Sequence, residues 1–161
     1  MSVRSAPTLA GFQWFIASIM AIDPLYLPPD SPVIGFALAS ALAIVNPALR
    51  GVPCGPVTPG VPPISIYMQA VYNLAGSNVI NFAQDQSGRD YFVETRRKLG
   101  IAPFQPGIVA STGDQATSVS LLNPEFMKNL TLANLQQLKD PYGRAYLQIA
   151  QAYGPTIVGL S

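Results

Sequence analysis

The stretch Ile64 to Gln84, ISIYMQAVYNLAGSNVINFAQ, leaves little choice of local structure. Its polar side chains Ser65, Gln69, Asn73, Ser77, Asn81 and Gln84 recur every four residues, with a last step of three. At about 100° per residue that spacing lays them along one slowly winding stripe of a helix, and nearly everything beside the stripe is apolar or small. A helix with so wide an apolar surface has to be buried on most sides, so it belongs in the middle of a bundle. The stripe carries amides and hydroxyls but no charge. Another subunit can therefore cover part of it without burying an unpaired ion.

The rest of the chain repeats this shortage of charge. Between Ser5 and Gln84 the only charged residues are Asp23, Asp30 and Arg50. Charged residues make up 11% of the 161 and hydrophobic ones 49%, which is enough apolar mass for one domain over 1–161 and too little charge to keep a solitary surface wet. The composition predicts surface that partners cover. A bilayer is the other way to cover it, but the longest apolar stretches, Leu9 to Ile22 and Val33 to Val45, fall short of the roughly 20 residues of a spanning helix. No basic region followed by a small-residue cleavage site stands near the start, where Phe12, Trp14 and Phe15 are bulky, so a cytosolic origin is expected. The net charge of +1 gives no general pull towards nucleic acid or anionic lipid.

Proline and glycine divide the chain. Residues 1–7 form a short arm that nothing local would order. From Thr8, a candidate cap, Leu9, Phe12, Phe15, Ile16 and Ile19 fall at helical intervals until Asp23-Pro24 stops the run. Ser31-Pro32 opens a second helix that ends near Asn46-Pro47, and its alanines 37, 39, 41 and 43 make it slim enough for close approach. Residues 47–63, PALRGVPCGPVTPGVPP, predict a stiff, extended connector. A short helix is expected from Asp90 to Leu99, acidic early, basic late at Arg96, Arg97 and Lys98, and stopped by Gly100. Residues 107–122 predict a small β-hairpin or extended loop centred on Thr112-Gly113-Asp114-Gln115. Asn123-Pro124 and Asp140-Pro141 then open helices over Glu125 to Leu138 and Tyr142 to Tyr153, the second with Tyr142, Tyr146, Ile149 and Tyr153 on one side. After Gly154 the chain reads as an extended apolar tail, 154–161. The fold class is mainly α: a helical bundle around a long central helix, with a hairpin or loop and a C-terminal tail.

Little in the chain points to catalysis. There is no histidine, which removes the usual general base and the His-based triads. Cys54 is the one cysteine, so a thiolate cluster is excluded. Asp85, Asp90 and Glu94 are the nearest carboxylates, and with Arg96 and Arg97 beside them they suit salt bridging better than metal binding. Gly51, Gly55 and Gly60 are separated by prolines that cannot offer a phosphate nest. No enzyme activity, cofactor or metal is expected.

Several stretches together resemble the head-tail adaptor (connector, or head-completion) proteins of tailed bacteriophages. They are Phe12 to Phe15, the capped helix SPVIGFALASALAIVN, the helix AVYNLAGSNVINFA, Gly107-Ile108-Val109-Ala110-Ser111 with Ser118-Val119-Ser120, and the ending Asp140-Pro141-Tyr142-Gly143-Arg144 with Tyr146-Leu147. The resemblance implies a ring, typically a dodecamer, between the portal protein and tail or neck proteins, with genomic DNA passing through its channel. It implies portal docking by Tyr153, Thr156, Ile157, Val158 and Leu160. The loop Ser111, Thr112, Gly113, Asp114, Gln115, Thr117 and Ser118 would touch a neighbouring subunit or the tail. The place implied is the virion neck, with host cytoplasm during assembly. The proline-rich connector between Arg50 and Pro63 departs from the pattern.

Two other readings compete. A membrane-associated helical hairpin would dip Leu9 to Ile22 and Val33 to Val45 into a bilayer, but Asp23 and Asp30 would then lie deepest. A DNA-binding factor would use Arg89, Arg96, Arg97 and Lys98, which do not form a basic face.

Overall fold

The computed structural model of the chain describes residues 6–52, 65–101 and 137–158, with side chains of the last helix up to Tyr153. Those residues are mainly helical, with five α-helices: α1 (Leu9–Ser18), α2 (Pro32–Ile44), α3 (Ile66–Phe82), α4 (Tyr91–Lys98) and α5 (Pro141–Val158). The hairpin region 107–122, most of the helix expected over Glu125 to Leu138, and Cys54 lie outside the described residues, as does the connector from 53 to 64.

The apolar bulk of α3 is used on several sides. Tyr67, Ala70, Val71, Tyr72, Leu74, Ala75 and Val79 are all buried, and α3 packs against α1, α2, α4 and α5. Ser65 caps its start, its hydroxyl accepting from the Met68 amide at 3.1 Å. Against α3 lies the small-residue side of α2, where Ala37 and Ala41 are fully buried beside Ile34 and Leu38. The slimness of the alanine-rich sequence is what allows that contact.

Helix α1 starts where its cap predicts, with Thr8 Oγ1 accepting from the Gly11 amide at 3.1 Å. Phe12 and Phe15 turn inward and form an aromatic cluster with Tyr72 of α3, all centroids within 6.3 Å. Tyr72 Oη also accepts from the Thr8 amide at 3.2 Å, which ties the start of α1 to α3. Two expectations fail here. Leu9 and Ile19 are about half exposed, and α1 ends at Ser18 rather than at Asp23-Pro24. The chain leaves the helix early because Met20 donates back to the Phe15 carbonyl at 3.0 Å and Ala21 takes a left-handed conformation with φ of 52°. That turn buries Met20 and Ile22. A Cβ in the left-handed region costs about 1–2 kcal/mol. Ala21→Gly is therefore expected to raise stability by about 0.5–1 kcal/mol, read as a higher urea midpoint; an unchanged or lower midpoint would contradict it.

The connector after α2 is not extended at its start. Pro47–Gly51 winds into a 3-10 turn because Asn46 caps it, Oδ1 accepting from the Ala48 amide at 2.9 Å, and Leu49 is buried beneath. Arg50 stacks over the Tyr67 ring at 4.8 Å, its charge engaged within the chain.

Helices α3 and α4 cap each other. Asp85 accepts from the Phe92 and Val93 amides at 2.7 and 2.8 Å, while Arg96 Nη1 donates to the Ile80 and Ala83 carbonyls at 3.1 and 2.7 Å. Asp90 stands at the N-cap position without a side-chain bond, because the carboxylate reaching the first turn comes from five residues earlier. Arg97 and Lys98 pair with Glu94 at the surface, and Gly100, with φ of 65°, stops the helix as expected. An eight-residue helix is marginal alone. Asp85→Ala is expected to cost about 1–2 kcal/mol and to speed amide exchange in α4 first; uniform exchange across the chain would argue against a local cap.

The largest change concerns the C-terminal region. The backbone of α5 is helical from Pro141 through Val158, so the extended tail predicted from Gly154 does not begin there. Gly154 removes one of the obstacles that Pro155 sets. Proline clashes with the Cβ of the residue before it, and glycine has none. The tyrosine face itself is as predicted: Tyr142, Tyr146, Ile149 and Tyr153 all pack against the core.

Candidate functional site

Two features stand out: a buried polar junction where α5 meets α3, and an apolar outer surface with no ions in its helices. At the junction Asp140, fully buried, caps α5 with Oδ1 accepting from the Gly143 amide at 2.7 Å. Its Oδ2 accepts from Ser77 Oγ, also at 2.7 Å. Ser77 belongs to the uncharged polar stripe of α3, so at this point the stripe is covered by the chain's own last helix rather than by another subunit. Elsewhere the stripe turns inward on itself: Asn73 donates to the Gln69 carbonyl and Asn81 to the Ser77 carbonyl, each at 2.8 Å.

Burial, the dominant influence, pushes the Asp140 carboxyl above the ordinary aspartate range; the Gly143 amide, the Ser77 hydroxyl and the Arg144 charge act the other way. Burial likewise raises the Tyr142 and Tyr146 phenols. Arg144 donates to the Leu138 and Lys139 carbonyls at 3.0 and 3.2 Å, and Lys139 Nζ to the Gly100 carbonyl at 2.9 Å. These bonds lock the approach to α5 against the end of α4. The whole junction is built for holding two helices together.

The outer surface arises from the composition of α2. One side of PVIGFALASALAI packs on α3, yet its other side is just as apolar, and Phe36, Leu42 and Ile44 stand 61%, 36% and 61% exposed. Gly35, Ala39 and Ala43 are exposed between them. Phe82, at the end of α3, is 55% exposed and meets Phe36 edge-on at 6.2 Å. Helix α1 adds exposed Leu9 and Trp14, and Ile19 just after it is exposed too. No charged residue occurs in α1, α2 or α3.

A shallow cleft of about 300 Å³ lies beside the start of α2, lined by Tyr26, Leu27, Pro28, Pro32, Gln84 and Gln86, with Asp30 as its carboxylate. Tyr26 is stacked on Tyr91 at 4.6 Å, so one ring face is already occupied. Among the described residues no group of three or more His, Cys, Asp or Glu side chains could hold a metal ion, and no helix is long and apolar enough to cross a membrane.

The residues that the resemblance put forward are placed as follows. Tyr153 is partly buried against the core at the end of the tyrosine face. Thr156, Ile157 and Val158 belong to the backbone of α5, and Leu160 lies outside the described residues. Ser111, Thr112, Gly113, Asp114, Gln115, Thr117 and Ser118 lie outside them too. Sequence reasoning missed the exposed set on α2 and Phe82. Its signal was present, since a helix apolar all round is buried on all sides or carries an unpartnered face. No protein-family model matches the chain, and neither a curated protein nor a solved structure matches it.

Proposed function

We propose that this chain is a structural subunit of a bacteriophage neck, a head-tail adaptor whose copies form a ring between portal and tail proteins around the DNA channel. In this reading the molecule is a helical bundle around α3, and it acts by fitting surfaces together rather than by catalysis. The observation that carries the proposal is the outer surface of α1, α2 and the end of α3: charge-free helices with Phe36, Phe82, Ile44, Leu9 and Trp14, and Ile19 just after α1, about two-fifths or more exposed. Exposed apolar patches of this kind mark interaction sites. Permanent assemblies bury large apolar interfaces, of 2,000 Å² or more in total.

Portal docking falls, in this proposal, to Tyr153, Thr156, Ile157, Val158 and Leu160. The loop Ser111 to Ser118 faces a neighbouring subunit or the tail. Gold-labelled antibody against the chain, viewed on virions from its source by electron microscopy, is expected to decorate the neck. Label on the capsid or tail fibres alone, or absent from particles, overturns the adaptor reading. Truncation at Tyr153 is expected to abolish portal co-purification while leaving the helical signal of the remaining chain; retained portal binding would remove the end of α5 as the docking element.

A further inference from the structure

We infer that the outer face of α2, extended by Phe82, is the surface on which a second copy of this chain packs. The inference deepens the ring assembly proposed above and rests on it for its setting in the virion. Three things on this face select the occupant. The first is area. At roughly 150–250 Å² for a fully buried aromatic and somewhat less for an aliphatic side chain, the exposed parts of Phe36, Leu42, Ile44 and Phe82 with Ala39 and Ala43 amount to about 500 Å². An equal contribution from the neighbour gives about 1,000 Å², the size at which a specific contact becomes sustainable.

The second is charge. A helix that lies on a membrane carries Lys or Arg along its polar face, and a nucleic-acid surface presents cations to phosphates. Neither chemistry is present on α2, which has no charged residue and no polar face beyond Ser40. Apolar surface lacking charge is what the cores of homo-oligomeric interfaces are made of. The third is that this chain itself offers the matching chemistry. Leu9 and Trp14 of α1, and Ile19 just beyond it, are further exposed apolar residues, so a neighbouring copy carries apolar side chains of its own to set against α2, as a head-to-tail contact that closes a ring requires. The Phe36–Phe82 edge contact holds two aromatic rings together at the face before any partner arrives.

The test is the mass of the full chain by sedimentation velocity, with far-UV circular dichroism to check folding. Wild type is expected to sediment as an oligomer, and the double variant Phe36→Gln, Phe82→Gln at the 17.1 kDa of one chain. Val93→Gln, which alters an exposed apolar residue on α4, is expected to keep the wild-type mass. A photo-crosslinking residue at Ala39 in the otherwise unchanged chain makes the test independent of how the double variant folds. It should join two copies, whereas the same group at Val93 should not. A wild type that sediments as a single chain overturns the inference, as does a folded double variant of wild-type mass or an Ala39 position that gives no crosslink between copies. Neck labelling without the Ala39 crosslink leaves the adaptor reading standing and this interface wrong. The crosslink without neck labelling does the reverse.

Discussion

Asp140→Ala is expected to cost about 2 kcal/mol of folding stability at neutral pH, while Asp140→Asn costs less than about 1. The asymmetry follows from the junction. Alanine removes the cap on α5 and leaves the Ser77 hydroxyl, 1% exposed, without its acceptor. Asparagine keeps an oxygen for the Gly143 amide and an amide group opposite Ser77, and gives up only the buried charge. Urea midpoints at one protein concentration measure the difference, and equal losses for the two variants would show that the hydrogen bonds are not what matters.

The same pair carries a pH dependence of known sign. Burial raises the Asp140 carboxyl in the folded chain, so the folded state holds that proton more tightly than the unfolded state, where aspartate titrates near about 3.9. The stabilisation linked to that proton is complete below the unfolded value and is lost as pH rises through the raised folded one. Wild type should therefore lose ground to Asp140→Asn as pH rises above about 4. The groups facing the carboxyl include Arg144 and Tyr142, and neither is altered in this comparison. A midpoint difference that stays constant with pH would mean that Asp140 is ionised as readily in the folded chain as in the unfolded one.

Gly143→Ala is expected to destabilise the chain by about 2–3 kcal/mol, although alanine is the better helix former. A Cβ at this position would overlap the Gln137 carbonyl oxygen and lie 2.8 Å from Asp140 Oδ2. The first of these is backbone and cannot swing away as a side-chain tip would. Relief requires the segment before α5 to move, which pulls Asp140 off Ser77. The prediction is checked by thermal unfolding alongside Gly35→Ala, where a Cβ meets nothing within 4 Å and helix propensity should stabilise instead. Similar shifts for both variants would sink the steric account.

Local signals were the legible part of this chain. The caps at Thr8 and Asp140, proline at the start of α2 and α5, and Gly100 after α4 each act within a few residues, so their geometry follows from chain chemistry alone. The apolar faces of α3 and α5 were readable for the same reason, because periodicity says which side chains share a face. What Asp85 and Arg96 do was not readable, since reciprocal capping depends on how two helices are brought together. Nor was the continuation of α5 past Gly154-Pro155, since glycine followed by proline is locally a stop signal.

Sequence by itself determined that this is a helical, charge-poor chain whose third helix must be buried nearly all round, because hydrophobic period and composition are properties of the residues in order. Which apolar surface would be left over was decided only in three dimensions. Helix α2 is equally apolar on both sides, and nothing local distinguishes the side that meets α3 from the side that keeps Phe36 and Ile44 exposed. That choice depends on where Ala37 and Ala41 let another helix come close, and so do the candidate assembly surface and the burial of Asp140.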